Sequence, residues 1–143
     1  MAGRIPSNQI EFLAAVPLFS ACSRRELRAI AQLGTPVDAE EGAYLTEEGK
    51  PGREFFLVLE GEASCRVHDK EVSRFKSGGY FGELALLHGG LRTADVVAVT
   101  PMELLVFDAR EFRSMLMTTP SIGVKMLSYL AERLEEATTQ FVY

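Results

Sequence analysis

The sequence predicts a mainly β fold, an all-β sandwich or barrel carried between helices. Two observations lead there. Over about residues 36–107, short β-branched and aromatic runs are separated by glycine turns at close spacing, the pattern of a sandwich or barrel. On either side, over 8–34 and 108–140, the chain carries helix-start signals and helical periodicity. A length of 143 residues fits a single domain with its own core, and no internal repeat or interdomain linker interrupts residues 1–143.

The elements follow in order. In CSRRELRAIAQLG, Ser23 at the N-cap and Glu26 three residues on form a capping box, with Cys22 and Leu27 at the staple positions. Gly34 supplies the stop. In the β zone, AEEGAY, EEGKPGRE, LEGEAS and FKSGGY carry the turns. FFLVLE, ASCRVH (Ala63, Cys65 and Val67 alternating), VVAV and MELLVF read as strands, and HDKE as a hairpin turn. Asp108 and Glu111 make a second capping box, stapled by Phe107 and Phe112, for a helix ending near Thr118. Thr119-Pro120 is an N-cap and N1 pair that opens a last helix reaching about residue 140. Its apolar residues at 122, 126, 130, 134, 137 and 141 form one stripe, which Leu127, Tyr129 and Ala131 widen. That helix is therefore expected to pack on more than one surface.

Composition narrows the function. A net charge of −5, with no cluster of Lys and Arg, argues against broad nucleic-acid binding. An anionic ligand would need a local cationic device. No apolar run approaches the roughly 20 residues of a membrane span. MAGRIPSNQIEF lacks the basic-then-apolar pattern of a signal peptide. The expected location is the cytoplasm. Cys22 and Cys65 stand 43 residues apart, the spacing of two reduced thiols rather than of a disulfide framework or metal site.

The chemistry concentrates in YFGELALLHGGLRTADVVAV, Tyr80 to Val99. Gly82 allows a tight turn and close approach of a ligand. The amides of Glu83, Leu84 and Ala85 then stand free at a helix start, where phosphate binds. Ala85 leaves room for the anion, and Arg92, nine residues after Glu83, can offer it a fork of donors. Glu83 cannot face a phosphate but can accept from a ribose hydroxyl. Phosphate and ribose in one cradle describe a nucleotide. Leu84, Leu86 and Leu87 read as core.

FGELALLHGGLRTADVVAV resembles the phosphate-binding cassette of cyclic nucleotide-binding domains, as in the regulatory subunit of cyclic-AMP-dependent protein kinase, cyclic-nucleotide-gated channels and catabolite activator protein. VPLFSACSRRELRAIA resembles the family's leading helices, EEGAYLTEEGKPGREFFLVLEGEASC its first strands with Gly42, Gly49 and Gly61 at turns, and TPMELLVFDAREFRSML its closing strands and hinge helix. The resemblance implies a jelly-roll barrel over 36–107 with the cassette at 81–94, N-terminal helices, and hinge and lid helices over 108–140. It implies that Gly82, Leu84 and Ala85 give backbone contacts to a cyclic phosphate, that Glu83 holds the 2′-hydroxyl, and that Arg92 pairs with the phosphate. Thr93 would add a hydroxyl near phosphate and purine, with Cys65, Ser73 and Ala94 lining the pocket and Tyr129 and Arg133 on the lid facing the base. One departure is Ser77-Gly78-Gly79 where the family often has Pro-Gly-Asp; the expected effect is on loop stability. The implied ligand is cAMP or cGMP, with cAMP favoured because Thr93 permits guanine but no other guanine-specific group is evident. The implied partner is an effector protein or a second copy meeting the C-terminal helix.

Other readings fare worse. A cupin-like metal enzyme needs a His-x-His pair, whereas His68 and His88 are twenty residues apart. An iron–sulfur or haem sensor lacks its ligands, and a transcription factor lacks a basic helix-turn-helix after the last helix. A structural or partner-binding module that has lost its ligand is opposed by the Glu83 and Arg92 pair, since a buried arginine without an anion is costly. With neither nucleophile elbow nor P-loop, the sequence reads as a binding module rather than an enzyme.

Overall fold

The computed structural model describes the backbone of residues 7–142 and the side chains of 9–138. The N-terminal stretch 1–6 and the side chain of Phe141, both used above, lie outside these. The chain opens with α1 (Ser7–Ala15), a single 3-10 turn (Pro17–Phe19) and α2 (Arg24–Leu33). The capping box forms as expected: Ser23 Oγ accepts from the Glu26 amide at 3.1 Å and Glu26 accepts from the Ser23 amide at 2.8 Å. Gly34 does end α2, but with an extended backbone (φ −79°) rather than a left-handed one. What it supplies is space: a methyl there would lie 2.8 Å from Leu105 Cγ, so the helix end can close down on the sheet.

Eight strands follow: β1 (Thr35–Ala39), β2 (Tyr44–Thr46), β3 (Glu54–Glu60), β4 (Ala63–Val67), β5 (Lys70–Phe75), β6 (Tyr80–Phe81), β7 (Asp95–Ala98) and β8 (Met102–Asp108), with the short helix α3 (Glu83–His88) between β6 and β7. They form two antiparallel four-stranded sheets, ordered β1-β8-β3-β6 and β2-β7-β4-β5, which is the jelly-roll arrangement. The expected barrel is thus two facing sheets rather than a closed ring; among the described residues no strand ladder joins one sheet to the other. Pro36 sits on the edge strand β1, where a missing N–H is tolerated. The HDKE turn is a two-residue hairpin with φ of 50° at His68 and 67° at Asp69, the primed turn that matches strand twist.

The apolar run of β3 follows from its position between two cores. Phe55, Leu57 and Leu59 face a helical core that includes Leu13, Phe19, Leu27, Ile30, Phe112, Met115 and Ile122. Phe56 and Val58 face the space between the sheets, with Phe81, Val96, Met102 and Leu104. A strand buried on both faces shows no alternation. Each such side chain contributes about 1.5–3 kcal/mol on burial, so β3 anchors helices and barrel together.

The chain leaves β8 into α4 (Ala109–Thr118), whose Asp108–Glu111 capping box closes at 2.9 and 2.8 Å. Thr119 is the joint: its amide donates to the Met115 carbonyl, ending α4, and its carbonyl accepts from Ile122, opening α5 (Pro120–Val142). The stripe on α5 is buried only in its first half. Ile122 and Met126 are buried and Leu130 is half-buried against the helical core, but Leu134 is 68% exposed and every residue from 131 to 138 faces solvent. Leu127 and Ala131 are also exposed, and Tyr129, though exposed, meets Tyr80 edge-on at 6.0 Å, so beyond Leu130 the widened stripe finds no second packing surface among the described residues. The physical reason is length: α5 runs on past the packing surface that holds its first turns.

Candidate functional site

The site is built at the end of β6. Phe81 pairs with Phe56 of β3, and their rings stack at 4.8 Å. Gly82 then turns the chain with φ +96°, a conformation that suits glycine. A methyl at this position would lie 2.7 Å from the Glu54 carbonyl oxygen. The turn opens α3, whose first amides have no partner within the helix. Ala85 is buried beneath them.

Arg92 is brought to the same place by its backbone. Its amide donates to the Lys50 carbonyl at 2.8 Å and its carbonyl accepts from Gly49 at 2.9 Å, tying the segment after α3 to the β2–β3 connection. The side chain is 7% exposed. Nη1 donates to the Gly82 carbonyl at 3.1 Å and Nη2 to the Glu54 carbonyl at 2.9 Å, with the guanidinium 5.8 Å from the Phe56 ring. Burial pulls its pKa down, against the raising effect of Glu54 and Glu83. Gly52 makes the space: a methyl there would lie 2.6 Å from Arg92 Nε and 2.7 Å from Ala85 Cβ.

Glu83 is 8% exposed. Burial pushes its carboxyl above the usual range; a hydrogen bond from its own amide, then Arg133 and Arg92, act in the opposite sense. Glu83 and Arg92 do not form an ion pair with each other: among the described residues no contact within salt-bridge distance joins them. The guanidinium rests on two carbonyls instead. Burial of Arg92 therefore does not by itself demand an anion, and so does not by itself exclude a ligand-free module.

These groups line a cavity of about 300 Å³, the lower end of small-molecule sites. All eleven residues singled out from the sequence border it: Gly82, Glu83, Leu84, Ala85, Arg92, Thr93, Ala94, Cys65, Ser73, Tyr129 and Arg133. Cys65 and Ser73 are direct cross-strand partners on β4 and β5. A hydrogen bond from Ser73 only partly offsets the burial that raises the Cys65 thiol. A family model described as the cyclic nucleotide-binding domain matches residues 36–119, more than half of the chain and all of the barrel and cassette.

The chain belongs to the cyclic nucleotide-binding domain family.

It is 31% identical over 123 residues to a cyclic nucleotide-gated potassium channel of Rhizobium etli, an overlap of 86% of this chain and 34% of the channel. It superposes on the catabolite activator protein of Thermus thermophilus with a TM-score of 0.81 at 26% identity, covering 87% of this chain and 61% of that one. The regulatory subunit of a cAMP-independent protein kinase A from Trypanosoma brucei gives a TM-score of 0.79 at 27% identity, covering 93% and 48%. This chain thus spans about a third of the channel and about half to three-fifths of the two solved relatives.

In this cyclic nucleotide-binding domain α5 supplies the roof of the cavity. Tyr129 and Arg133, one turn apart, are joined by a 2.8 Å bond from Arg133 Nη1 to the Tyr129 hydroxyl, with the guanidinium 5.7 Å from the ring. Sequence reasoning missed eight lining residues, Thr46, Val67, Val72, Phe75, Tyr80, Phe81, Val96 and Leu130. Two had a readable signal: Val67 follows Cys65 and Phe75 follows Ser73 at the strand period of two. Leu84 and Leu87, read as core, are 40% and 47% exposed, while Leu86 packs on the helical core. A six-residue helix has only one inward side, and Glu83, Ala85 and Leu86 take it. The Ser77-Gly78-Gly79 loop is firmly held: Ser77 Oγ donates to the Leu59 carbonyl, and Gly78 and Gly79 exchange backbone bonds with Val58. His68 and His88 are both exposed, and among the described residues no group of three or more His, Cys, Asp or Glu is placed to hold a metal ion.

Proposed function

We propose that this domain binds a cyclic nucleotide as a regulatory sensor, cAMP in preference to cGMP, and relays its occupancy through α4 and α5 to an effector protein or to a second copy of the chain. The observation that carries the reading is the convergence, in one cavity, of the first turn of α3, a buried arginine and a buried carboxylate. The amides of Glu83, Leu84 and Ala85 with Arg92 suit a cyclic phosphate; Glu83 suits the ribose 2′-hydroxyl. Val67, Val72 and Tyr129 give the remaining wall an apolar and aromatic character suited to a purine. Thr93 leaves room for guanine without requiring it. The domain acts by binding, making and breaking no bond in its ligand. An intracellular messenger as ligand puts its reader in the cytoplasm; no helix among the described residues is long and apolar enough to cross a membrane.

Family membership alone does not decide the ligand, since one relative is described as cAMP-independent. Equilibrium binding of cAMP and cGMP to the purified protein decides it. The expected result is saturable binding of both, tighter for cAMP, with slowed amide exchange over residues 80–95 and altered exchange over 108–140. Failure to bind either nucleotide would remove the reading; a tenfold preference for cGMP would reverse the choice of purine. Protection confined to the cassette would remove the relay.

A further inference from the structure

Tyr80 lies in β6, three residues before Glu83, and borders the same cavity. Its hydroxyl is the buried side-chain polar atom that has no hydrogen-bond partner among the described residues. Its ring is fixed by the fold: the backbone pairs with Leu57 of β3, and the ring centroid stands 5.6 Å from Phe55 and 6.0 Å, edge-on, from Tyr129 of α5. Glu83 borders the same cavity, and burial, then the charge of Glu83, push the phenol pKa up.

Glu83 is the complementary case. It is a buried acceptor that takes a hydrogen bond from its own amide. That amide is one of those at the start of α3 which a phosphate would claim. Once it turns to the ligand, the carboxylate loses its donor, and a carboxylate with about four acceptor positions needs more than one ribose hydroxyl to hold it. A buried donor without an acceptor and a buried acceptor about to lose its donor stand three residues apart.

We infer that Tyr80 is a positioning residue for Glu83: when a cyclic nucleotide fills the cavity, the Tyr80 hydroxyl donates to the Glu83 carboxylate and holds it toward the ribose. The inference rests on the function proposed above. It assigns Tyr80 no contact with the ligand; the ring, braced by Phe55 and Tyr129, is a fixed post, and the carboxylate is what moves.

The test is Tyr80→Phe, which keeps the ring and removes the donor. Calorimetric titration with cAMP and with 2′-deoxy-cAMP should show cAMP binding weakened roughly tenfold or more, as for loss of a hydrogen bond to a charged group. The 2′-deoxy analogue, which has no hydroxyl for Glu83 to hold, should be nearly unaffected. In a Glu83→Ala background, Tyr80→Phe should change neither affinity. Without ligand the variant should unfold at the same temperature as the wild type or higher, because it lacks the unpartnered hydroxyl. Unchanged cAMP affinity in Tyr80→Phe, or equal weakening of both nucleotides, would overturn the inference while leaving the proposed function standing. A wild-type protein that binds neither nucleotide would remove both.

Discussion

Replacing Arg92 by leucine separates two duties that the structure gives one side chain. The guanidinium holds the Gly82 carbonyl at 3.1 Å and the Glu54 carbonyl at 2.9 Å. Leucine leaves both without a donor. Each orphaned acceptor costs about 1–3 kcal/mol if dry; the cavity admits water, so a total of about 2 kcal/mol is the reasonable expectation. For a chain of this size that lowers the unfolding midpoint by roughly 4–8 °C. With nucleotide, the variant also loses a charged partner of the phosphate, worth about 2–5 kcal/mol in comparable pairs, or roughly thirtyfold to several thousandfold in affinity. Arg92→Lys should fall between, because one ammonium replaces a planar fork and cannot reach both carbonyls and an anion. Thermal unfolding with and without cAMP, alongside calorimetry, resolves the two duties. A leucine variant with a lowered midpoint but cAMP affinity within twofold of wild type would refute the reasoning: Arg92 would then be a strut for the Gly82 turn and nothing more.

Gly52→Ala should act on binding without touching the ligand. The added methyl falls 2.6–2.7 Å from Arg92 Nε and Cδ and from Ala85 Cβ, so the arginine must shift; calorimetry should show affinity reduced about tenfold, as for loss of one hydrogen bond to a charged group, and wild-type affinity would mean the stem yields freely. Glu83 predicts a pH dependence. Its folded-state pKa is raised by burial, so the folded protein holds the proton more tightly than the unfolded chain. The empty domain should therefore lose stability as pH rises from the ordinary carboxylate range, about 4.3, through the raised value. Ligand affinity should rise over the same window as the better acceptor forms. Glu83→Gln should flatten both curves and be at least as stable as wild type at pH 7 without ligand; a Gln variant that keeps the wild-type pH profile would assign the effect to another group.

Local chemistry was legible in the sequence, and long-range geometry was not. Both capping boxes, the HDKE hairpin and the Thr119-Pro120 joint close within a few residues, so their side chains announce them. β1 was missed as a strand because an edge position lets Pro36 and Asp38 stand where a central strand would not. The cassette residues could be gathered because Gly82 to Thr93 are nearly contiguous, whereas Tyr80 passed as one more aromatic of a strand. Its unpartnered hydroxyl exists only in three dimensions. The same holds for Arg92: the sequence shows a lone cation and not the Gly82 and Glu54 carbonyls that hold it. The leucines of α3 misled because a short helix was given more inward side than it has.

The solvent-facing stretch of α5, residues 131 to 138, has the shape of a pointer. From Leu130, the last of the described side chains to rest on the core, to Val142 the helix spans twelve residues, roughly 18 Å at about 1.5 Å each. A tilt of about 10° at its root would carry the tip sideways by roughly 3 Å at that rise, while Ile122 and Met126, close to the pivot, would move little. Small repacking beside Tyr80 and Tyr129 would thereby be magnified along the shaft, past Leu134, which faces solvent. Anything attached to the tip or seated on it would read an angle rather than a contact.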